Sequence, residues 1–250
     1  MKPKTKMKLP FLLKIILIIV LILILAAGGL VGKMRYEQGM MQPLPTGETI
    51  PGIYAINDGF VNIYLVRSGN EYLMIDAGNR TEQVKTGLEE LGIAADAVKV
   101  ILLTHSDYDH IAALSLFPDA RIYLPEAEVQ MLDGTVKRSP MGYNHLEYDY
   151  TTVADGEELD LLGLNIRCIS TPGHTPGSMS FLLDNRSLFT GDTMRLKDGN
   201  VILFNSFYNM DDDRQGESIR KLAAETQAEY LFTAHYGYSE AVEEAFADWR

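Results

Sequence analysis

The sequence predicts an α/β domain with two β-sheets packed face to face and helices outside, behind one apolar N-terminal helix. Three observations carry this. Residues 15 to 32 contain no charged side chain. Beyond residue 51, short strand-like runs alternate with segments of helical period. The two halves of that stretch hold similar sets of strands and helices, with no repeat of fixed period.

The uncharged run is about 27 Å long as a helix, close to the thickness of a bilayer core. Residues 9 to 13 lengthen it if Lys14 snorkels. Lys2, Lys4, Lys6 and Lys8 precede it. The basic tail, 1–8, is therefore expected in the cytoplasm, 9–32 in the cell membrane as a single-pass anchor, and the remainder outside the cytoplasm. The competing reading is a cleaved signal peptide, with Ala26 and Gly28 as small residues at the cleavage position and a secreted product. The run exceeds the roughly 7 to 15 apolar residues of a signal peptide, which favours the anchor. Residues 33–50 have no sustained periodicity and carry prolines near the end, so they read as a linker before a folded domain at 51–250.

The domain opens with "GIYAIN", "FVNIYLVRS" and "NEYLMIDAG", strand-like runs separated by the hairpin-turning pairs "DG" and "GN". An antiparallel meander is expected. "RTEQVKTGLEELG" places Val84, Leu88 and Leu91 at helical spacing and ends in glycine. "VKVILLT" suits a buried strand and leads directly into His105. A strand follows at "ARIYLP" and a helix at "PEAEVQML". The second half predicts strands at "LNIRCIST", "SMSFLLD" and "SLFTG", a helix at about 214 to 225, a strand at "EYLFTAH" and a closing helix from about Ser239.

Charge is segregated. Seven of the 22 basic residues and none of the 34 acidic ones lie in the first 35 positions. The rest carries 15 basic against 34 acidic side chains, a formal charge of −19, which argues against nucleic acid as a partner. No protein partner is predicted. The one cysteine, Cys168, excludes a disulfide framework and a cysteine-rich zinc site, and its strand-like context reads as a buried thiol.

Four of the five histidines stand just after strand-like runs: His105 and His110 after "VKVILLT", His174 after "LNIRCIST", His235 after "EYLFTA". Asp192 follows another, in "SLFTGDT". Loops at one sheet edge converge into a site. Within "THSDYDH", His105 and Asp107 share a side of an extended chain, whereas Asp109 and His110 are adjacent and diverge or sit on a turn. One metal ion could take the first pair and a second the other, with His174 and His235 as further ligands, one each, and Asp192 as a bridge. Hydrogen-bonded loop residues are the alternative for any single histidine. Imidazole and carboxylate without thiolate suit zinc, iron or manganese more than a structural zinc site.

This pattern resembles the metallo-β-lactamase superfamily over about residues 51 to 250. The resemblance rests on "LMIDAG", with Asp76 and Gly78 shaping a turn beneath the site, then "THSDYDH", "TPGHTPGS", "FTGDT" and "TAHYG", in the family's order. It implies an αββα four-layer sandwich and two divalent metal ions. His105, Asp107 and His174 would hold one, Asp109, His110 and His235 the other, with Asp192 between them. Asp107 departs from the family, which usually presents histidine there; a carboxylate shifts preference from zinc toward manganese or iron. "TPGHTPGS" is written as in glyoxalase II-like and lactonase-like members.

That likeness implies hydrolysis of a small ester, thioester, lactone or similar acyl substrate by a hydroxide the metals share, with Asp109 orienting it or receiving its proton. The alternative is an extracytoplasmic metallo-phosphodiesterase or nuclease, favoured by the likeness of Asp107 and the anchor to the extracytoplasmic domain of the competence DNA-uptake protein and opposed by the acidic charge. A redox role would need a flavin domain for which no residues remain, and binding without turnover is the last class. Substrate contacts are sought in "VKRSPMGYNHLEYDYTT", where Tyr143 and His145 are candidates, and at Tyr236 beside His235; a packed loop with surface tyrosines is the rival reading.

Overall fold

The computed structural model describes residues 10–138 and 142–250. It divides into a helical unit ending at Met40 and a second unit from Met41 to Arg250. The first is a single helix, α1 (Phe11–Gly39), uncharged from Ile15 to Gly32 and long and apolar enough there to cross a membrane. The basic tail read at 1–8 lies outside the described residues. Residues 33–50, read as a linker, are helical through Gly39 and contain a strand at Gly47–Ile50.

The second unit has two principal sheets. The first, in spatial order, comprises β1 (Gly47–Ile50), β2 (Ile53–Asp58), β3 (Val61–Ser68), β4 (Glu71–Ile75), β5 (Val98–Leu102), β6 (Arg121–Pro125) and β7 (Thr151–Val153). β1 to β4 form the antiparallel meander, and β4 to β7 are parallel. The second sheet contains β8 (Glu158–Leu161), β9 (Leu164–Ser170), β10 (Met179–Leu183) and β11 (Ser187–Phe189). A separate ribbon of β12 (Met194–Lys197) and β13 (Asn200–Leu203) follows. β14 (Tyr230–Phe232) and β15 (Tyr238–Ser239) then complete the second sheet, whose order is β15-β14-β11-β10-β9-β8.

Side-chain alternation decides what each face buries. Leu73, Val100 and Leu102 face Ile166, Cys168, Phe181, Phe189 and Phe232 between the sheets. Their neighbours Met74 and Ile101 point the other way, onto Val84 and Leu88 of α2 (Thr81–Leu91). On the far side, Leu182, Leu188 and Leu231 meet Ile219 and Leu222 of α5 (Asp212–Glu225) and Val242 of α6 (Val242–Ala245). Helix, sheet, sheet, helix is the layer order. Each fully buried aliphatic or aromatic side chain contributes about 1.5–3 kcal/mol, so both faces of both sheets are stabilised. Two short helices, α3 (Tyr108–Ile111) and α4 (Val129–Leu132), sit in the connections.

Strand direction positions the loops. β9 and β11 both run antiparallel to β10, and β14 runs parallel to β11. The C-terminal ends of β9, β11 and β14 therefore share one edge, and those of the parallel pair β4 and β5 lie together. The Met179 amide donates to the Thr104 carbonyl at 2.9 Å, joining the two sheets where β5 ends. These are the strands that deliver the histidines and aspartates.

The expected strands and helices from residue 52 to 232 are present. The closing helix starts at Val242 and not at Ser239, because Tyr238 and Ser239 pair with β14. "PEAEVQML" forms a 3-10 turn before the four-residue α4.

Candidate metal centre

The centre is built on backbone turns just after the strands. Asp76 follows β4 directly and stands in the left-handed region, at φ +60°, a conformation costly for a non-glycine residue. That turn aims its carboxylate across to the end of β5. There it accepts from the Thr104 amide at 2.7 Å and the Thr104 hydroxyl at 2.9 Å. It also lies 2.8 Å from Nδ1 of His110. Gly191 precedes Asp192 at φ +51°, and a Cβ there would run into Thr104. Glycine is what lets β11 approach β5.

Each histidine is oriented through Nδ1. His110 faces Asp76, and His235 lies 2.6 Å from the Phe60 carbonyl. His105 is 3.0 Å from Thr104 Oγ1, whose own hydrogen is directed to Asp76. His174 is 3.3 Å from Asn209 Oδ1. All four partners accept, so Nδ1 is the donor in each ring and the Nε2 lone pair is left to face inward. Outer hydrogen bonds of this kind orient metal-ligating imidazoles.

The inward atoms converge. Asp107 Oδ2 lies 3.0 Å from His174 Nε2 and 3.6 Å from His105 Nε2. Asp109 Oδ2 lies 3.7 Å from His110 Nε2 and 3.6 Å from His235 Nε2. Asp192 stands between these groups: Oδ2 is 3.4 Å from His174 Nε2, and Oδ1 is 3.5 and 3.0 Å from His110 and His235 Nε2. Among the described residues, Nε2 of His105, His110 and His235 and Oδ1 of Asp192 are buried without a hydrogen-bond partner. They approach one another without lining up, which is the geometry of atoms aimed at a shared centre. Buried polar atoms are almost always paired, and a cation held among them supplies the missing partner. The residues fit divalent metal ions.

The carboxylates leave the pocket short of positive charge: against their burial, His110 is raised well above the usual imidazole range by Asp76, Asp192 and Asp109, and His235 is raised by Asp192 and Asp109, a demand that a bound cation would meet. Burial alone would raise the Asp192 carboxyl, but His235, His110 and His174 hold it well below the usual carboxylate range. Asp107 is likewise lowered against its burial by His105 and His174. His174 is lowered, chiefly by burial, toward the neutral imidazole a metal requires.

The family model of the metallo-beta-lactamase superfamily matches residues 56–235, which contain every residue of this centre. The chain belongs to the metallo-beta-lactamase superfamily. Among its relatives in that superfamily, a hydroxyacylglutathione hydrolase of Aeromonas hydrophila is 35% identical over 58% of this chain and 49% of its own length. A probable polyketide biosynthesis zinc-dependent hydrolase of Bacillus velezensis is 33% identical over 51% of this chain and 52% of its own. The chain thus spans about half the length of these curated relatives. A metallo-beta-lactamase family protein of Thermus thermophilus superposes with a TM-score of 0.59 at 25% identity, covering 80% of this chain and 78% of that one.

The structure brings His105, Asp107 and His174 into one group of metal-competent atoms and Asp109, His110 and His235 into another; Asp192 joins His105 and His110 in a third. The candidate substrate residues are placed differently. Tyr143 is exposed beside Gly134, and His145 is exposed and paired with Glu147 at 3.0 Å. Tyr236 is half-buried, packed near Phe204, whose ring also meets His174 and His235. Sequence reasoning missed Arg138, and it did not foresee that Asn144, in the tyrosine-rich segment searched for substrate contacts, bonds Asp107 as Arg138 does. It also missed Glu128, buried in the 3-10 turn that follows β6, which accepts from Ser106 and Thr175, the neighbours of His105 and His174. None belongs to a motif. The only signal was a basic residue, Arg138, in the least patterned segment of an acidic domain.

Proposed function

We propose that the protein is a metal-dependent hydrolase of small acyl substrates, a thioester, ester or lactone, with two divalent ions, zinc first, held by His105, Asp107, His174, Asp109, His110, His235 and Asp192. The observation that carries it is the set formed by Nε2 of His105, His110 and His235 and Oδ1 of Asp192, buried without hydrogen-bond partners among the described residues and facing one another at the strand ends. Bound there, the metal supplies Lewis acidity, lowering the pKa of water and polarising the scissile carbonyl. Asp107 hardens its group toward manganese or iron.

The chain's own residues do the rest. Asp109 is the most exposed of the three carboxylates, at 23%, and points Oδ2 between His110 and His235, where it orients the attacking water and accepts its proton. Asp76, Thr104, Phe60 and Asn209 hold the rings in their ligating tautomer. The similarity to hydroxyacylglutathione hydrolases favours acyl over phosphoryl chemistry, and the acidic surface adds to that against nucleic acid. Helix α1 anchors the domain in the cell membrane, with the catalytic part outside the cytoplasm.

The test is turnover of a thioester, a lactone and bis-p-nitrophenyl phosphate side by side, with and without added zinc. Metal-dependent thioester or lactone cleavage, lost in Asp109→Asn, is expected. Turnover confined to the phosphodiester transfers the reading to a metallo-phosphodiesterase.

A further inference from the structure

Arg138 lies against Asp107. Its Nε is 2.9 and 2.8 Å from the two carboxylate oxygens, and one terminal nitrogen is 2.8 Å from Oδ2. The same nitrogen is 3.3 Å from His174 Nε2 and donates to the Tyr208 carbonyl at 2.7 Å. Asn144 Nδ2 donates to Asp107 Oδ1 at 2.9 Å and to Ser106 Oγ at 2.9 Å. The Arg138 side chain is only 22% exposed.

The two metal-competent groups are therefore unequal. At the first, Asp107 Oδ2 and His174 Nε2 already meet a cation, and only His105 Nε2 is buried without a hydrogen-bond partner among the described residues. At the second, Nε2 of His110 and of His235 and Oδ1 of Asp192 are buried without hydrogen-bond partners among the described residues. A guanidinium and a divalent ion cannot use the same lone pairs, and their like charges repel strongly at such separations in a partly buried site. A neutral imidazole in place of Asp107 would offer no anion for an arginine to pair with. Asp107 and Arg138 thus act as a unit.

We propose that Arg138 is an internal cation that competes for the first metal position. The chain then fills its positions in order, tightly at Asp109, His110, His235 and Asp192, and weakly at His105, Asp107 and His174 until Arg138 is displaced. This rests on the metal-centre reading above and adds to it a difference between two positions that the ligand set alone would make alike.

The test is calorimetric titration of the chelator-stripped full chain in detergent with zinc. For the native protein, one equivalent is expected to bind tightly and a second at least about tenfold more weakly, within the range by which neighbours of metal ligands alter affinity. Arg138→Met is expected to tighten the second equivalent about tenfold or more, and Arg138→Lys, which keeps the charge, to tighten it less. Asp107→His is expected to tighten it as well and serves if Arg138→Met fails to fold. Two equivalents of equal affinity in the native chain, unchanged in Arg138→Met, overturn the proposal and leave the metal centre standing. No zinc bound by any variant overturns both.

Discussion

Asp76 Oδ2 lies 2.8 Å from His110 Nδ1. The same carboxylate takes two hydrogen bonds from Thr104, which in turn abuts His105. One aspartate thus orients a ligand in each metal-competent group. Asp76→Ala is expected to lower zinc affinity about 10- to 100-fold. Competition against a chromophoric chelator measures it, and an unchanged affinity removes Asp76 from this role.

Glu128 ties the two halves of the centre together. Oε1 accepts from the Ser106 amide at 2.9 Å and its hydroxyl at 2.6 Å, and Oε2 accepts from Thr175 at 2.7 Å. Hydrogen bonds to a buried charge contribute about 1.5–3 kcal/mol each. Glu128→Ala is expected to destabilise the domain by about 3 kcal/mol or more, read as a fall in the denaturation midpoint. A midpoint unchanged within error contradicts the role.

Gly191→Ala combines a positive φ with a collision against Thr104. Each effect costs of order 1–3 kcal/mol. The variant is expected to lose stability and metal affinity together, because Thr104 is the hinge between Asp76 and His105. Melting temperature and zinc content check the pair of effects.

Cys168 is buried between the sheets, and burial, with Glu157 and Asp155 adding to it, pushes its thiol up to about 12. At pH 8 only about one thiol in ten thousand is ionised, so a disulfide reagent is expected to label the native chain very slowly and the denatured chain at once. The sign follows from the raised value. The thiol's contribution is fully present below the unfolded pKa, near 9, and is lost as pH rises from there toward 12. Fast labelling of the native chain would show that the sheets open.

Most of the architecture was legible because it depends on apolar alternation. β5 and β9 announce themselves through "VKVILLT" and "LNIRCIST", and each ends at a ligand. β1, β7 and β8 escaped because they are three or four residues long and half polar, held by their neighbours and not by their own pattern. The β12–β13 ribbon carried a readable turn, Asp198 and Gly199 at φ +52° and +82°, but its strands are too short for alternation to register. The ligands were legible as histidines and aspartates after strands. Arg138 and Glu128 were not, since their partners lie 31 and 47 residues away in sequence and only the fold brings them together.

The central claim is that these seven side chains hold metal for hydrolysis. Its most direct test is metal analysis of the chelator-stripped and zinc-reconstituted chain beside His110→Ala and His235→Ala, with thioester turnover on the same samples. The account expects at least one zinc per native chain, loss of zinc and turnover together in both variants, and return of native turnover only with metal. A native chain that binds less than one zinc after reconstitution, or that turns over equally well when stripped, would contradict it.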